Sequence, residues 1–439
     1  MRRLSSVKVD RGTFLGLGSF EFMTFMRRGV FYTFMIYYLY DLLGKVTIVA
    51  LLGTLTAVAS MAGQNFLWGR IADRNKWRTQ LIVTGEVTAG VAYILVYLSH
   101  KTLIDSGMGE AAGLVIIGGL SVLEFFWSMS DVGWATLVTD ITTPEIRGIF
   151  IGVINFISSV GRMTGVLFAG FLYEGGLGFR NGTIFYVVTA MLFAGAAIMV
   201  YSSRMIKSNH RKVKDSEVKL EDPAPTVAKS SLESDGSNGF IWFLIALIII
   251  ILGVASINQV FLLFLKLPQG LNATDEQVSL IISAYTLGGM AASLLSGRLS
   301  DKFGRLHTIA VGLVLAVLTL LFYGLVPNVE LMALVYGVNG VAFMTLQTVT
   351  FALAGDIIPV QKRARLLSRY NAVMALSWGP AGLLIGGPLA DIQTGVWGIS
   401  PQVAYINAFI VAAIVVSIGA VVFLTKVKRP PHEEIRDST

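Results

Sequence analysis

The feature that most constrains this chain is its rhythm. Runs of roughly 20 apolar residues, each long enough to cross a bilayer as a helix, recur from end to end with small charged clusters between them. In lipid every backbone N–H and C=O must find its partner inside the segment, which leaves helices or closed barrels. The strict alternation of a transmembrane barrel strand is absent, so the runs predict helices. Of 439 residues 54% are hydrophobic and 14% charged, against roughly 25% charged in a soluble domain. The expected fold class is an all-α polytopic membrane protein.

Twelve spans are expected, near 14–40, 46–68, 79–99, 113–139, 149–172, 183–206, 240–265, 277–297, 307–326, 330–355, 367–390 and 402–425. With both termini in the cytosol, 27 of the 34 Lys and Arg fall on cytosolic segments. Four fall outside: Lys45, Lys101, Arg180 and Lys266. That bias is the positive-inside pattern. It explains the net charge of +7 as topology and excludes nucleic acid as the partner. The basic start, MRRLSSVKVDRGTF, leads into a full-length span and is expected to stay on the protein. The chain has no cysteine, and its four histidines are scattered. Neither a metal site nor a cofactor is expected, and no catalytic motif points to an enzyme.

Residues 207–239 are charged and carry Ser and Pro, and they read as a flexible cytosolic linker. Six spans precede it and six follow, dividing the chain into 1–206, 207–239 and 240–439. The halves also match in their motifs. Gly69 and Asp73 in GRIADRNKWR correspond to Gly297 and Asp301 in GRLSDKFGR; Asp140 and Arg147 correspond to Asp356 and Arg363. Duplication of a six-span unit is a common plan of secondary transporters.

These paired motifs resemble motif A of the major facilitator superfamily and its D-x(6)-R after spans 4 and 10, and the resemblance runs over essentially the whole chain. It implies two pseudo-symmetric six-helix bundles that open a central site to each side in turn. It also implies two cytosolic latches. Asp73 would brace span 11 and Asp301 span 5, with Arg74, Arg78, Asp140 and Arg147 in one charge network and Arg305, Asp356 and Arg363 in the other. Gly69 and Gly297 are expected to let helices approach closely there. The first copy departs from the family pattern, with Lys76 where the second keeps Gly304.

Charges inside spans are costly and usually functional. Glu21, Phe25, Arg28 and Tyr32 share a face of span 1, Glu124 and Asp131 a face of span 4, and Asn155 and Arg162 a face of span 5. At a rise of about 1.5 Å per residue, Arg28, Glu124 and Arg162 are expected near the midplane, with Glu21 and Asp131 roughly 7–10 Å nearer the cytosol. The first three would meet a polar or anionic group, and Glu21, Asp131 or Glu124 would carry a proton. Arg27 points off that face and Glu86 lies in span 3, peripheral in the family, so both read as packing residues. In the second half Asn339, Gln347 and Trp378 are candidates for hydrogen bonding and stacking. Span 11 carries WGPAGLLIGGP, the composition of a bendable helix. The expected function is secondary transport of a small organic solute by alternating access, proton-coupled symport first. A proton-coupled multidrug antiporter, an uncoupled facilitator and a transporter-like receptor are the alternatives. The expected setting is a monomer, multi-pass in the cell membrane.

Overall fold

Side chains that are apolar on nearly every face make the chain fold as helices laid against one another and against lipid. The computed structural model describes residues 11–75, 77–142, 144–214, 236–358 and 363–427, which are helical and contain no strand. In chain order the helices are α1 (Arg11–Leu43), α2 (Val46–Asn75), α3 (Arg78–Asp105), α4 (Gly109–Ile141), α5 (Pro144–Tyr173) and α6 (Thr183–Lys214). The second half has α7 (Gly236–Ser256, resuming at Asn258–Lys266), α8 (Asp275–Phe303), α9 (Arg305–Phe322) and α10 (Val329–Ile357). It ends with α11 (Arg363–Trp378, resuming at Gly387–Gly395) and α12 (Pro401–Lys426).

Among the described residues ten helices are long and apolar enough to cross a membrane, and α8 makes an eleventh if its two segments, bent by 46°, form one span. The remaining helix, α1, has 33 residues, more than the roughly 20 a crossing needs. Glu21, Arg27 and Arg28 interrupt its apolar run. α6 continues to Lys214, past the expected linker start at 207; residues 215–235 lie outside the described residues. Local signals set several ends. A capping box of Thr274 and Gln277 starts α8 and the Asn328 side chain caps α10. The turn from α8 to α9 pivots on Gly304 at φ +92°, a conformation that glycine adopts without a Cβ clash.

Within the first half α1 packs on α5 and α6, and α3 on α4. Within the second, α7 packs on α12, and α10 on α8 and α9. Between halves α2 meets α11, and α5 meets α8. The α1–α5 seam is closed by glycine: a Cβ on Gly161 would strike the Phe22 carbonyl oxygen, and one on Gly165 that of Met26. Gly288 and Gly340 serve the α8–α10 seam in the same way. We expect Gly165→Ala to cost about 1–3 kcal/mol of overpacking, offset in part by about 1 kcal/mol of helix propensity. Thermal unfolding in detergent should show a lower melting temperature than Gly118→Ala, where nothing lies within 4 Å of the added Cβ. Equal melting of the two variants would mean that the α1–α5 seam has slack.

Gly69 and Gly297 do not sit at such a seam. Among the described residues a Cβ on Gly297 would meet nothing within 4 Å, and one on Gly69 only the Gln64 carbonyl oxygen of its own helix. The expectation of close approach there is corrected for this conformation, in which the halves are joined at the other end. At that far end the Asp391 carboxylate accepts from both Val46 N–H and Thr47 N–H at 2.9 Å, capping α2 from across the divide. Tyr37 donates to the Leu262 carbonyl at 2.5 Å, and Thr54 to that of Gly379 at 3.1 Å. Both helices of the α2–α11 contact contain a π-helical turn, Gly63–Trp68 and Gly382–Gly386. Span 11, expected to be bendable, thus carries a π-turn, one of the recognised causes of a kink.

Candidate functional site: a ring of charge on Trp127

The i, i+7 pair Glu124 and Asp131 brackets Trp127 on α4, and Trp127 organises the charged residues of the first half. Its ring carries both adjacent arginines of α1: the Arg27 guanidinium lies 4.9 Å from the ring centroid and that of Arg28 4.3 Å. Consecutive helical residues diverge by about 100°, so the two have different surroundings. Arg27 is 1% exposed and donates to the Tyr93 hydroxyl at 3.0 Å. Its Nε and Nη2 have no hydrogen-bond partner among the described residues. Glu86 on α3, also 1% exposed, accepts from the Trp127 indole N–H and from Ser130, each at 2.8 Å. This is a buried, largely structural layer, as expected for Arg27 and Glu86. Trp127 and Tyr93 were not anticipated. The signal for Trp127 was available: it falls at i+3 from Glu124 and i−4 from Asp131, on the same face.

Arg28 is different. Its side chain keeps 34% of its surface and that of Asp131 41%, and the two stand 4.0 Å apart. Phe25 flanks the guanidinium at 5.4 Å, and Gln64 donates to Asp131 at 3.4 Å. A guanidinium on an aromatic face, loosely paired and accessible, can exchange its carboxylate for another anion. Glu124 accepts from Tyr32 at 3.0 Å, and Glu21, 6% exposed, accepts from Ser158 at 3.1 Å.

The expected midplane cluster of Arg28, Glu124 and Arg162 is thus regrouped. Arg28 has reached along its helix to Asp131, because its side chain is long enough to cross the expected difference in depth. Glu124 belongs with Tyr32. Arg162 is exposed and within electrostatic reach of Tyr285 and Tyr336 in the other half. Asn155, on the same helix, is exposed.

In the second half Trp378 is 38% exposed and its ring lies 5.0 Å from Phe343. Gln347 is exposed and borders a small cavity with Phe343, Thr350 and Met374. Asn339 is a correction: it is buried and donates to Thr319 at 2.8 Å, tying α10 to α9 instead of presenting its amide to the cavity.

The motif pairs build matching ties within each half. Arg78 donates to Asp140 at 2.9 Å and to the Ala72 carbonyl at 2.5 Å. Arg305 donates to Asp356 at 3.1 Å, Asp301 at 2.6 Å and Ser300 at 2.5 Å. Each arginine opens the helix after its motif loop and joins the end of the fourth helix of its half to the turn before it. Asp73 and Arg74 are exposed. Lys76 and the side chains of Arg147 and Arg363 lie outside the described residues.

The family model of the Major Facilitator Superfamily matches residues 17–274 and again 247–439. The chain belongs to the major facilitator superfamily. Among curated relatives, this facilitator is 27% identical over 161 residues to an uncharacterised MFS-type transporter of Mycobacterium tuberculosis, covering 36% of this chain and 22% of that one. It is 36% identical over 101 residues to a triacylglyceride transporter of Mycolicibacterium hassiacum, covering 23% and 19%. It is 27% identical over 111 residues to the multidrug resistance protein MdtL of Klebsiella pneumoniae, covering 25% and 28%. The chain thus matches less than a third of the length of each of these relatives.

Two solved structures share the facilitator's fold. The nucleoside transporter NupG superposes with a TM-score of 0.69 at 14% identity, covering 95% of this chain and 100% of that one. A bacterial homologue of the human lysosomal transporter Spinster, inward-facing and unoccupied, superposes with a TM-score of 0.67 at 14% identity, covering 94% and 96%. At that identity the likeness is one of fold.

Proposed function

We propose that this facilitator is a proton-coupled symporter of a polar or anionic organic solute, working by alternating access with both termini in the cytosol. The observation that supports it most is the accessible Arg28, stacked on Trp127 and loosely paired with Asp131. An anionic solute that pairs with Arg28 takes the counter-charge of Asp131. The freed carboxylate, in the same half as Glu124 and Glu21, then binds a proton more readily, since the loss of its pairing with Arg28 favours the neutral form. Solute and proton therefore load together. Arg162 and Trp378 supply a second cation and an aromatic face. With the halves joined at the end away from the motifs, the site belongs to a state open toward the motif side; closing that side would use the Asp73 and Asp301 latches.

A second reading has its own observation. Inside the spans of the first half the four carboxyls of Glu21, Glu86, Glu124 and Asp131 outnumber the three guanidiniums of Arg27, Arg28 and Arg162, a surplus suited to exchanging a lipophilic cation for protons. The named relative MdtL, a multidrug resistance protein, points the same way. The test is a thermal-shift screen of purified protein at about pH 5.5 and about pH 7.5, since a bound ligand raises apparent stability by mass action. Anionic hits that strengthen at the lower pH support symport. Lipophilic cations that strengthen at the higher pH overturn it in favour of antiport. For the coupling groups, Asp131→Asn and Glu21→Gln are expected to lose pH-driven accumulation in proteoliposomes and to keep solute exchange. Full accumulation in both variants would remove these residues from the proton path and leave an uncoupled facilitator. Binding without flux would identify a receptor.

A further inference from the structure

Lys266 ends α7 at the far side of the molecule from the motif loops. It was counted above only as one of four basic residues on that side. The structure gives it an unusual seat. Its ammonium lies 4.6 Å from the ring centroid of Tyr173, 4.7 Å from that of Tyr37 and 5.4 Å from that of Phe34. All three rings belong to the other half, on α1 and α5, and each is at most 4% exposed. Phe34 and Tyr173 are stacked at 4.6 Å, so two walls of the seat support each other. Lys266 also forms an ion pair with Asp275 at the start of α8, and Asp275 accepts from the Gly175 N–H of the first half at 3.3 Å.

We propose that Phe34, Tyr37 and Tyr173 form an alkylammonium-binding cage, that Lys266 is its built-in occupant, and that occupancy holds the far end shut. Three electron-rich ring faces around one cation are the arrangement that recognises organic ammonium groups. The cage lies wholly in the first half and its tenant in the second, so the contact must break whenever the halves separate at that end. The carboxylate of Asp275 bonds across the same divide and neutralises the ammonium while it sits, partly covered, in the cage. Once vacated, the cage faces the medium on that side and accepts a primary alkylammonium there. The inference rests on the alternating-access reading, but its test does not require transport.

The chain has no cysteine, so Ser106→Cys and Val396→Cys, exposed at the far ends of the two halves, can carry a spin-label pair. Pulsed electron–electron resonance should show one short distance in the otherwise unaltered protein. Adding Lys266→Ala should raise the long-distance population about two- to thirtyfold, the range that cation–π contacts span from exposed to desolvated sites. n-Propylammonium, the group that the substitution removes, should restore the short distance in a saturable way, and propan-1-ol should not. Lys266→Met fills the cage with an uncharged stem; it should open the far end and resist rescue. If the Lys266→Ala distances match those of the parent, or if propylammonium leaves them unchanged, the cage is only packing and the proposal is overturned. Rescue in a protein that moves no solute would keep the cage and sink the transport reading alone.

Discussion

Glu86→Ala is expected to destabilise the protein by about 1–3 kcal/mol for each buried donor left without its acceptor. Arg27, 1% exposed with two nitrogens lacking a hydrogen-bond partner among the described residues, also loses a carboxylate that acts on it through space. The Trp127 indole N–H and the Ser130 hydroxyl lose their acceptor in the same step. Glu86→Gln keeps an acceptor oxygen for both and should recover part of the loss, which separates hydrogen bonding from charge. Removing both members, in Arg27→Met with Glu86→Met, should be milder than Glu86→Ala, because apolar groups of similar size avoid the desolvation penalty. Melting temperatures of the variants in one detergent decide this. A double variant less stable than Glu86→Ala would show that the layer earns net stability from its charges.

Arg28→Ala should have the largest effect on transport with little effect on folding. Arg28 keeps a third of its side-chain surface, so its removal strands no buried partner. Losing a charge-assisted hydrogen bond to a bound anion costs about 1.5–3 kcal/mol, or roughly 10–150-fold in affinity at 1.4 kcal/mol per tenfold. Arg28→Lys should rescue poorly, because an ammonium lacks the flat face that rests on Trp127. Solute uptake into proteoliposomes measures the loss, and the melting temperature reports folding. Wild-type uptake by Arg28→Ala would place the solute elsewhere in the cavity. A matching loss of melting temperature would make Arg28 a packing residue.

Much of the architecture was legible before any coordinates. In lipid a run of apolar residues has no alternative to a helix, and the positions of Lys and Arg and the repeated Gly and Asp spacings are visible in one dimension. Charge networks holding Arg78 with Asp140 and Arg305 with Asp356 were implied by the family resemblance, and the structure pairs those residues. The site was legible at the level of helix faces: Arg28 with Tyr32, and Glu124 with Asp131, were placed on shared faces by counting residues. Partner choice was not. Depth estimates treat each side chain as a point at its Cα, so they could not show that Arg28 extends to Asp131 while Glu124 turns to Tyr32. Asn339 looked like a cavity amide until Thr319, twenty residues earlier on α9, proved to hold it. Gly69 and Gly297 carried the motif, yet whether a glycine lies at a tight seam depends on which end of the bundle is closed.

By itself, the sequence determined that this chain is a duplicated helical membrane protein of the facilitator type. Hydrophobic length, charge asymmetry and motif spacing are local or periodic properties, and they survive in one dimension. Only the tertiary structure decided that Trp127 bears both arginines, that Asp391 caps α2 from the opposite half, and that Lys266 sits in a cage of three rings. Those contacts join residues up to 345 positions apart. They depend on how helices rotate and shift against one another, which follows from close packing at glycine seams and from the pairing of each buried polar group.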